Sequence, residues 1–475
     1  MAGGTIRLEG KHVLVVGLAR TGVATALFCA AAGAIVTATD LRSAQELGET
    51  VRQFEPTRVS LRLGEPAEGL LEGQELVIPS PGVPADAPVV RLARARGIAV
   101  WSEIELAARF LRGQLIAITG SNGKTTTTVL VEHILRGAGF STVLAGNIGT
   151  PLVAHVEESS DRTLTVAELS SFQLELIESF RPKIAVFLNL TPDHLDRHKT
   201  LAAYGAAKAR IFENQTGEDF AVLNADDPQS AAYAPSGPEV HWFSRKAAVE
   251  RGAFVRDGKI VVRQTGLDEE VVAVKELPLP GAHNLENALA AAIAARLAGA
   301  APRQIGEGIR SFAGVEHRLE FVTEIRGVRY YNDSKATNVD ATLKALDSFP
   351  GRIVVILGGK DKDSDYTLLR TSLAEKAVLA LLIGAAAEKI ARQIKGSVRI
   401  EAAGTLERAV EMAAVAARPG DTVLLAPACA SFDQFQNYEH RGRVFKDLVR
   451  QLDERLRLLP GDPPASSVNA EKRNA

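Results

Sequence analysis

Between Leu115 and Leu135 the chain reads LIAITGSNGKTTTTVLVEHIL. An apolar, β-branched run stops at Gly120, a Gly/Ser/Asn turn leads into Gly123-Lys124-Thr125-Thr126, and an amphipathic helical pattern follows. Strand, glycine turn, Lys-Thr and helix, in that order, suit a phosphate cradle. The backbone N–H groups around Gly120, Ser121, Asn122 and Gly123 and the positive end of the helix attract anions. Lys124 adds a point charge for the β/γ-phosphates, and the Thr125 hydroxyl, with Thr126 beside it, is placed to ligate Mg²⁺. The strict pattern starts with a glycine where this chain has Ile118, so the loop is a variant. The plain alternative is a surface turn before a helix, and the ordered combination of features argues against it. The loop by itself means only nucleotide binding.

Three further stretches carry groups that could act with it. Glu168, in VAELSSFQLE, directly follows an apolar strand pattern. The C-terminal ends of strands line the ligand crevice of a parallel α/β sheet, so a carboxylate there is a natural Mg²⁺ ligand. NLTPDHLDRH packs Asp193, His194, Asp196 and His198 close together. It reads either as part of a metal-dependent hydrolase site or as a helix start with one metal ligand and several caps. The second is favoured, because no other His/Asp cluster completes a hydrolase site. Lys208, in YGAAKARIF, is by default an exposed, snorkelling lysine. The alternative is a buried lysine with lowered pKa, able to take up CO₂ as a carbamate beside a metal. DKDSDY, from Asp361, mimics an EF-hand start, but Tyr366 and Ser372 stand where glycine and glutamate are needed.

The elements that must position these residues alternate between strand and helix throughout, which predicts α/β architecture with parallel sheets covered on both faces. The 475 residues suggest about three domains. The boundaries expected are 1–110, 111–314 and 315–458, with a polar, Pro-rich disordered tail at 459–475. HVLVVG, a helix to about Ala32, and AIVTATD make a Rossmann-like opening, yet Gly17 and Gly22 do not match G-x-G-x-x-G. A net charge of −2 gives no electrostatic case for nucleic acid or an anionic membrane. Two separated cysteines exclude a disulfide framework and fit a reducing cytoplasm. MAGGTIRLEGKHVLVVG lacks the features of a signal peptide, and the run from Ala377 is too short for a bilayer.

Along the chain stand TGSNGKTT, GNIGTP, AELSSFQLE, NLTPDHLDRH, AAKARIF, GAHNLENALAA, GVEHRLE, YNDSKATN, LGGKDKD and PACASFDQF. Together they resemble the ATP-dependent Mur ligases of bacterial peptidoglycan synthesis, over nearly the whole chain except the tail. NDSKATN and ACASFDQF resemble the D-glutamate-adding branch in particular. The resemblance implies a UDP-sugar-binding Rossmann-like domain, a central P-loop ATPase-type domain and a Rossmann-like amino-acid-binding domain. The implied substrates are UDP-N-acetylmuramoyl-L-alanine, ATP and D-glutamate, with two Mg²⁺ sites; neither nucleic acid nor membrane is expected as a partner, and a monomer is expected.

By matching position, Asp40 and Arg42 would sit at the uridine end, and Ser80 and Gly82 would line the UDP-sugar site. Asn147 and Ser170 would contact the substrate in the central domain. Thr125 and Glu168 would ligate the first Mg²⁺, and His194 and carbamylated Lys208 the second. Asn284 and Asn287 would border the adenine, and Arg318 and Asp333 would reach ATP. Lys335, Thr337, Lys362, Ser431 and Tyr438 would receive D-glutamate. Asn284 and Asn287 are i, i+3 on one helix face, so their amides can converge, although Asn284 also suits a helix cap. Cationic Lys335 and Lys362 suit a dicarboxylate. Lys360 competes with Lys362 for that role, and His194 could instead help deprotonate the amine. The rival functions are another Mur-type or folylpolyglutamate-type ligase, a P-loop ATPase or binding protein without amide synthesis, and a metal hydrolase.

Overall fold

The computed structural model describes residues 7–279 and 281–457, so the tail expected at 459–475 lies outside the described residues. The chain divides into two compact units, Met1–Pro278 with Ala282–Ala313, and Leu279–Gly281 with Gly314–Ala475.

The first unit holds two sheets. One has the order Ser60–Leu63, Ile35–Asp40, His12–Val16, Leu76–Pro79, Ala99–Val100, all parallel. The strand order reverses beside His12–Val16, which opens a crevice at its C-terminal end, at Gly17. The helix Arg20–Ala31 closes on that strand because Gly22 carries no side chain: a Cβ there would lie 1.8 Å from the Gly17 carbonyl oxygen. This glycine serves helix–strand packing, outside any dinucleotide fingerprint.

The second sheet has nine strands. Gln114–Thr119 lies at its centre between Thr163–Glu168 and Ile184–Phe187, all parallel and almost entirely buried. The phosphate-loop turn therefore leaves the sheet from a central strand, again where the order reverses. Purely parallel architecture, expected from the alternating pattern, fails at one edge. Gly252–Arg256, Lys259–Gln264 and Leu267–Ala273 form an antiparallel meander. Its tight turns are Asp257-Gly258 and Thr265-Gly266, each with positive φ at both residues. Such turns match strand twist, and Asp-Gly was the legible signal for them.

The second unit has a six-stranded sheet, in the order Glu320–Ile325, Val328–Asn332, Thr422–Leu425, Ile353–Gly358, Ala377–Ile383, Ile400–Gly404. It is parallel except for its first pair, which turns at Arg326-Gly327. Among the described residues no helix is long and apolar enough to cross a membrane, and Cys29 and Cys429 are buried free thiols.

Buried carboxylates join the two sheets of the first unit. Glu105, on the helix Glu103–Ala108, accepts from the backbone N–H groups of Glu178, Ser179 and Phe180 at 2.8–3.0 Å and from the Ser179 hydroxyl. Glu103 accepts from the Val153 N–H at 2.8 Å, while its other oxygen has no partner. Burial pushes the Glu103 carboxyl from 4.5 up to about 7. Between those values the unfolded chain has lost this proton and the folded chain keeps it, so rising pH opposes folding across that window. At full ionisation the cost is about 3 kcal/mol. Glu103→Gln stays neutral at every pH. Urea titrations should show the parent losing up to about 3 kcal/mol between pH 5 and pH 8 relative to this variant. Identical pH slopes for the two proteins would contradict the assignment.

Candidate active site

The turn at 120–123 is held open by a neighbouring strand end. Ser121 N–H donates to the Asn189 carbonyl (2.9 Å), Asn122 N–H to Asn189 Oδ1 (2.9 Å), and Ser121 Oγ to the Thr191 carbonyl (2.9 Å). Asn189 Nδ2 returns a bond to the Asn122 carbonyl at 3.1 Å. Asn189 and Thr191 went unassigned in the sequence reading. They follow Ile184–Phe187, and only strand adjacency brings them to the loop. Gly123 adopts φ 84°, and a Cβ there would lie 2.3 Å from Asn287 Oδ1. Asn287 Nδ2 donates to Asn284 Oδ1 (3.3 Å), and Thr127 Oγ1 to Asn287 Oδ1 (3.3 Å). The Asn pair thus sits against the loop, and Asn284 is inside the helix Ala282–Leu297 rather than its cap.

The helix Lys124–Gly137 points its N-terminal end at the turn. Lys124 Nζ donates to the carbonyls of Gly120 (2.8 Å) and Ser121 (2.9 Å). Lys208 Nζ donates to the same Gly120 carbonyl at 2.8 Å. Lys208 is 1% exposed, which overturns the default of a snorkelling lysine. Its helix, Leu201–Ala209, approaches closely because Gly205 leaves room: a Cβ there would meet the Tyr233 hydroxyl at 2.5 Å. Burial, and then the Lys124 charge, hold Lys208 well below the usual lysine pKa.

Glu168 ends its strand fully buried. It accepts from Thr125 Oγ1 at 2.7 Å and from Asn147 Nδ2 at 2.8 Å. Hydroxyl and carboxylate oxygens converging beside a phosphate loop form a hard donor set that fits Mg²⁺. Among the described residues no group of three His, Cys, Asp or Glu side chains could hold a metal ion. Ser170 caps the short helix Ser171–Leu174 and exchanges hydrogen bonds with Gln173, so its hydroxyl is committed to that box.

His194 is half exposed and left-handed (φ 52°), and it opens the short helix Leu195–His198, which ends at left-handed Lys199. Its ring lies 6.2 Å from that of Tyr204, the residue over which Lys208 Nζ sits at 4.6 Å. His194 and Lys208 thus flank one aromatic ring. Arg197, unassigned from sequence, spans the two sheets. It donates to the Pro81 carbonyl at 2.8 Å and to Glu175, and its guanidinium stacks 4.0 Å over Phe172. Phe172 in turn packs edge-on against His194. The loop carrying Ser80 and Gly82 is therefore tied to the segment carrying His194.

Asp40, Arg42 and Ser80 gather around the Gly17 turn. Asp40 accepts from Leu18 N–H (2.7 Å) and from Arg42 Nε and Nη2, and the Arg42 guanidinium holds its carboxyl down at about 2. Ser80 Oγ donates to the Gly17 carbonyl at 2.6 Å. Gly82 is exposed, and nothing lies where its Cβ would be.

In the second unit, burial raises Asp333 to about 6 against the opposing charges of Arg318 and Lys335. The Lys335 N–H donates to the His317 carbonyl (3.1 Å), and Lys335 Nζ lies 5.8 Å over the Tyr438 ring. Thr337 follows in the same turn, with its N–H on the Lys335 carbonyl. Ser431 is buried beside Ala430, whose backbone bridges to Lys360 (2.8 Å). Lys362 lies in the exposed part of that loop.

Family models match three consecutive stretches: a Mur ligase MurD-like N-terminal domain over residues 11–102, the Mur ligase middle domain over 118–295, and the Mur ligase glutamate ligase domain over 317–429. Named relatives match almost end to end. The UDP-N-acetylmuramoylalanine--D-glutamate ligase of Koribacter versatilis is 52% identical over 448 residues, covering 94% of this chain and 99% of that protein. The enzyme of the same name from Solibacter usitatus is 53% identical over 449 residues, with the same coverage. The chain belongs to the Mur ligase family. Solved Mur ligases share its fold. The MurF ligase of Thermotoga maritima in complex with ADP has a TM-score of 0.59 at 17% identity, over 94% of this chain and 96% of that one. The UDP-N-acetylmuramate-alanine ligase of Thermotoga maritima has a TM-score of 0.58 at 19% identity, over 93% and 99%.

In this Mur ligase the contact of Gly123 with Asn287 joins the loop to the helix Ala282–Leu297. Gly123→Ala should therefore lose most of the thermal stabilisation that Mg-ATP confers, because it disturbs both elements at once. An ATP-induced shift equal to the parent's, read by scanning fluorimetry, would contradict this.

Proposed function

We propose that this chain is an ATP-dependent ligase that joins the amino group of D-glutamate to the terminal carboxyl of UDP-N-acetylmuramoyl-L-alanine. It would act as a monomer in the cytoplasm, in peptidoglycan precursor synthesis. The observation that carries the reading is the shared Gly120 carbonyl, where a phosphate-loop lysine and a buried low-pKa lysine meet. The names of relatives at 52–53% identity support D-glutamate as the acceptor. The division of labour would follow residues 1–110 for the UDP-sugar, 111–314 for ATP and 315–458 for the amino acid.

The substrate carboxylate attacks the γ-phosphorus of ATP, the bond to the β-phosphate oxygen breaks, and ADP leaves. The amine of D-glutamate then attacks the acyl carbon, loses a proton and expels phosphate, leaving an amide. Lys124 and the loop N–H groups hold the phosphates through this charge build-up. Asn284 and Asn287 border the adenine, while Arg318 and Asp333 reach the nucleotide. Asp40, Arg42, Ser80 and Gly82 seat the UDP-sugar, with Asn147 and Ser170 facing its peptide end. Lys335, Thr337, Lys362, Ser431 and Tyr438 receive D-glutamate. Thr125 and Glu168 would hold one Mg²⁺, and His194 with Lys208 as its carbamate a second, supplying charge neutralisation. Burial lowers the Lys208 pKa, and a neutral amine is the form that takes up CO₂.

Phosphate release from ATP with UDP-N-acetylmuramoyl-L-alanine should require D-glutamate. L-glutamate, L-lysine, diaminopimelate and a blank without acceptor should give none, and mass spectrometry should find the matching amide. Release with a different amino acid would reassign the branch, and release without any acceptor would sink the ligase. Lys124→Ala should lower turnover at least about a hundredfold without shifting the unfolding midpoint. Near-parental turnover in that variant would remove the loop from the mechanism.

A further inference from the structure

Among the described residues Arg441 is the largest fully buried side chain, at 0% exposure on the helix Tyr438–Arg457. Its acceptors are all uncharged oxygens. Nε donates to Ser334 Oγ (3.0 Å). Nη1 donates to the carbonyls of Cys429 (3.2 Å) and Ala430 (3.5 Å), and Nη2 to those of Ser334 (2.8 Å) and Cys429 (3.2 Å). Five N–H groups in a planar fork are thus spent on two turns of backbone. Asp433 acts on Arg441 only through space, and burying a cation with no carboxylate among its hydrogen-bond acceptors is costly; well-packed apolar residues serve stability at least as well. A guanidinium kept there points to a geometric task.

The turns it joins identify that task. Ser334 immediately precedes Lys335, and Cys429–Ala430 immediately precede Ser431. A third turn meets the same place: a Cβ on Gly359 would lie 3.2 Å from Arg441 Nη1 and 2.2 Å from the Ala430 carbonyl oxygen, and the next residue, Lys360, bonds Ala430 through its backbone. Ser334 Oγ also donates to the Tyr438 carbonyl (2.8 Å), closing the hub onto the helix start. Three turns, bearing Lys335 and Thr337, Lys360 and Lys362, and Ser431, converge on one guanidinium. With its donors committed to carbonyl and hydroxyl oxygens, Arg441 acts through these neighbours.

We propose that Arg441 is the positioning residue of the acceptor amino-acid pocket, setting the spacing of the turns that carry Lys335, Lys362 and Ser431 and thereby the selection of the acceptor. This rests on the amino-acid site assigned above. The parent is first taken through the amino-acid panel, and the variants are then measured with whichever acceptor it uses, so a wrong acceptor assignment and a wrong role for Arg441 give separate results.

KM is measured for acceptor, ATP and UDP-sugar in Arg441→Lys and Arg441→Ala. The expected result is a rise of at least tenfold in acceptor KM, less than twofold change for ATP and UDP-sugar, and weakened D- over L-glutamate discrimination. Millimolar guanidinium should partly restore acceptor KM in Arg441→Ala, and equal sodium chloride should not. A uniform change in all three KM values that tracks a lowered melting temperature would overturn the proposal, as would unchanged acceptor KM. Should both variants fail to fold, Ser334→Ala, which removes the acceptor of Nε and the bond to the Tyr438 carbonyl but leaves the other guanidinium bonds in place, must still raise acceptor KM selectively; if it does not, the proposal fails.

Discussion

Two lysine Nζ atoms share the carbonyl oxygen of Gly120, and the centre of this enzyme is organised around that crowding. Like charges a few ångströms apart repel by on the order of 3 kcal/mol even with substantial screening. Burial, and then the Lys124 charge, push the Lys208 pKa well below its ordinary value. Lys124 stands at the helix N-terminus, where anions are welcome. Lys124 opens its helix beside the phosphate cradle, while Lys208 is sealed from solvent. The carboxylate of Glu168, paired with Thr125 and Asn147, supplies the opposite charge across the same crevice.

Such an arrangement needs walls that do not yield. The loop is zipped along 121–122 to Asn189 and Thr191, so its backbone is held by the segment that follows Ile184–Phe187. The sugar-side loop is held by Arg197, whose guanidinium also stacks on the ring that supports His194. Behind both, Glu105 gathers three consecutive backbone N–H groups and locks the first sheet to the second. Each tie fills buried donors and acceptors that would otherwise cost folding energy, so positioning and stability are served by the same bonds.

The second unit solves a comparable problem with neutral dipoles. Lys335, Lys360 and Lys362 lie outside its strands and helices, and such connecting segments are the most pliable part of a fold. Backbone carbonyls from those turns are drawn to Arg441, while His317, packed so tightly against Gly442 that a Cβ there would lie 2.2 Å from its ring nitrogen, accepts the Lys335 N–H on its own carbonyl.

Much of this was open to reading from sequence. The phosphate loop, the strand ending at Glu168, the Asn pair and the alternation of strands and helices rest on local order, and local order is what periodicity and glycine placement record. The Gly258 and Gly266 hairpins were equally local, but the parallel pattern around them masked the Asp-Gly signal. Burial was a different matter. Nothing in YGAAKARIF distinguishes a surface lysine from one sealed under a sheet, and nothing in YEHRGR marks Arg441 as the hub of three turns. The order of the chain by itself determined which residues could bind phosphate and where the strands must end, because those properties depend on near neighbours. Only the tertiary structure decided which charges lose their water and which share an acceptor, because desolvation and close approach are set by segments far apart in the chain.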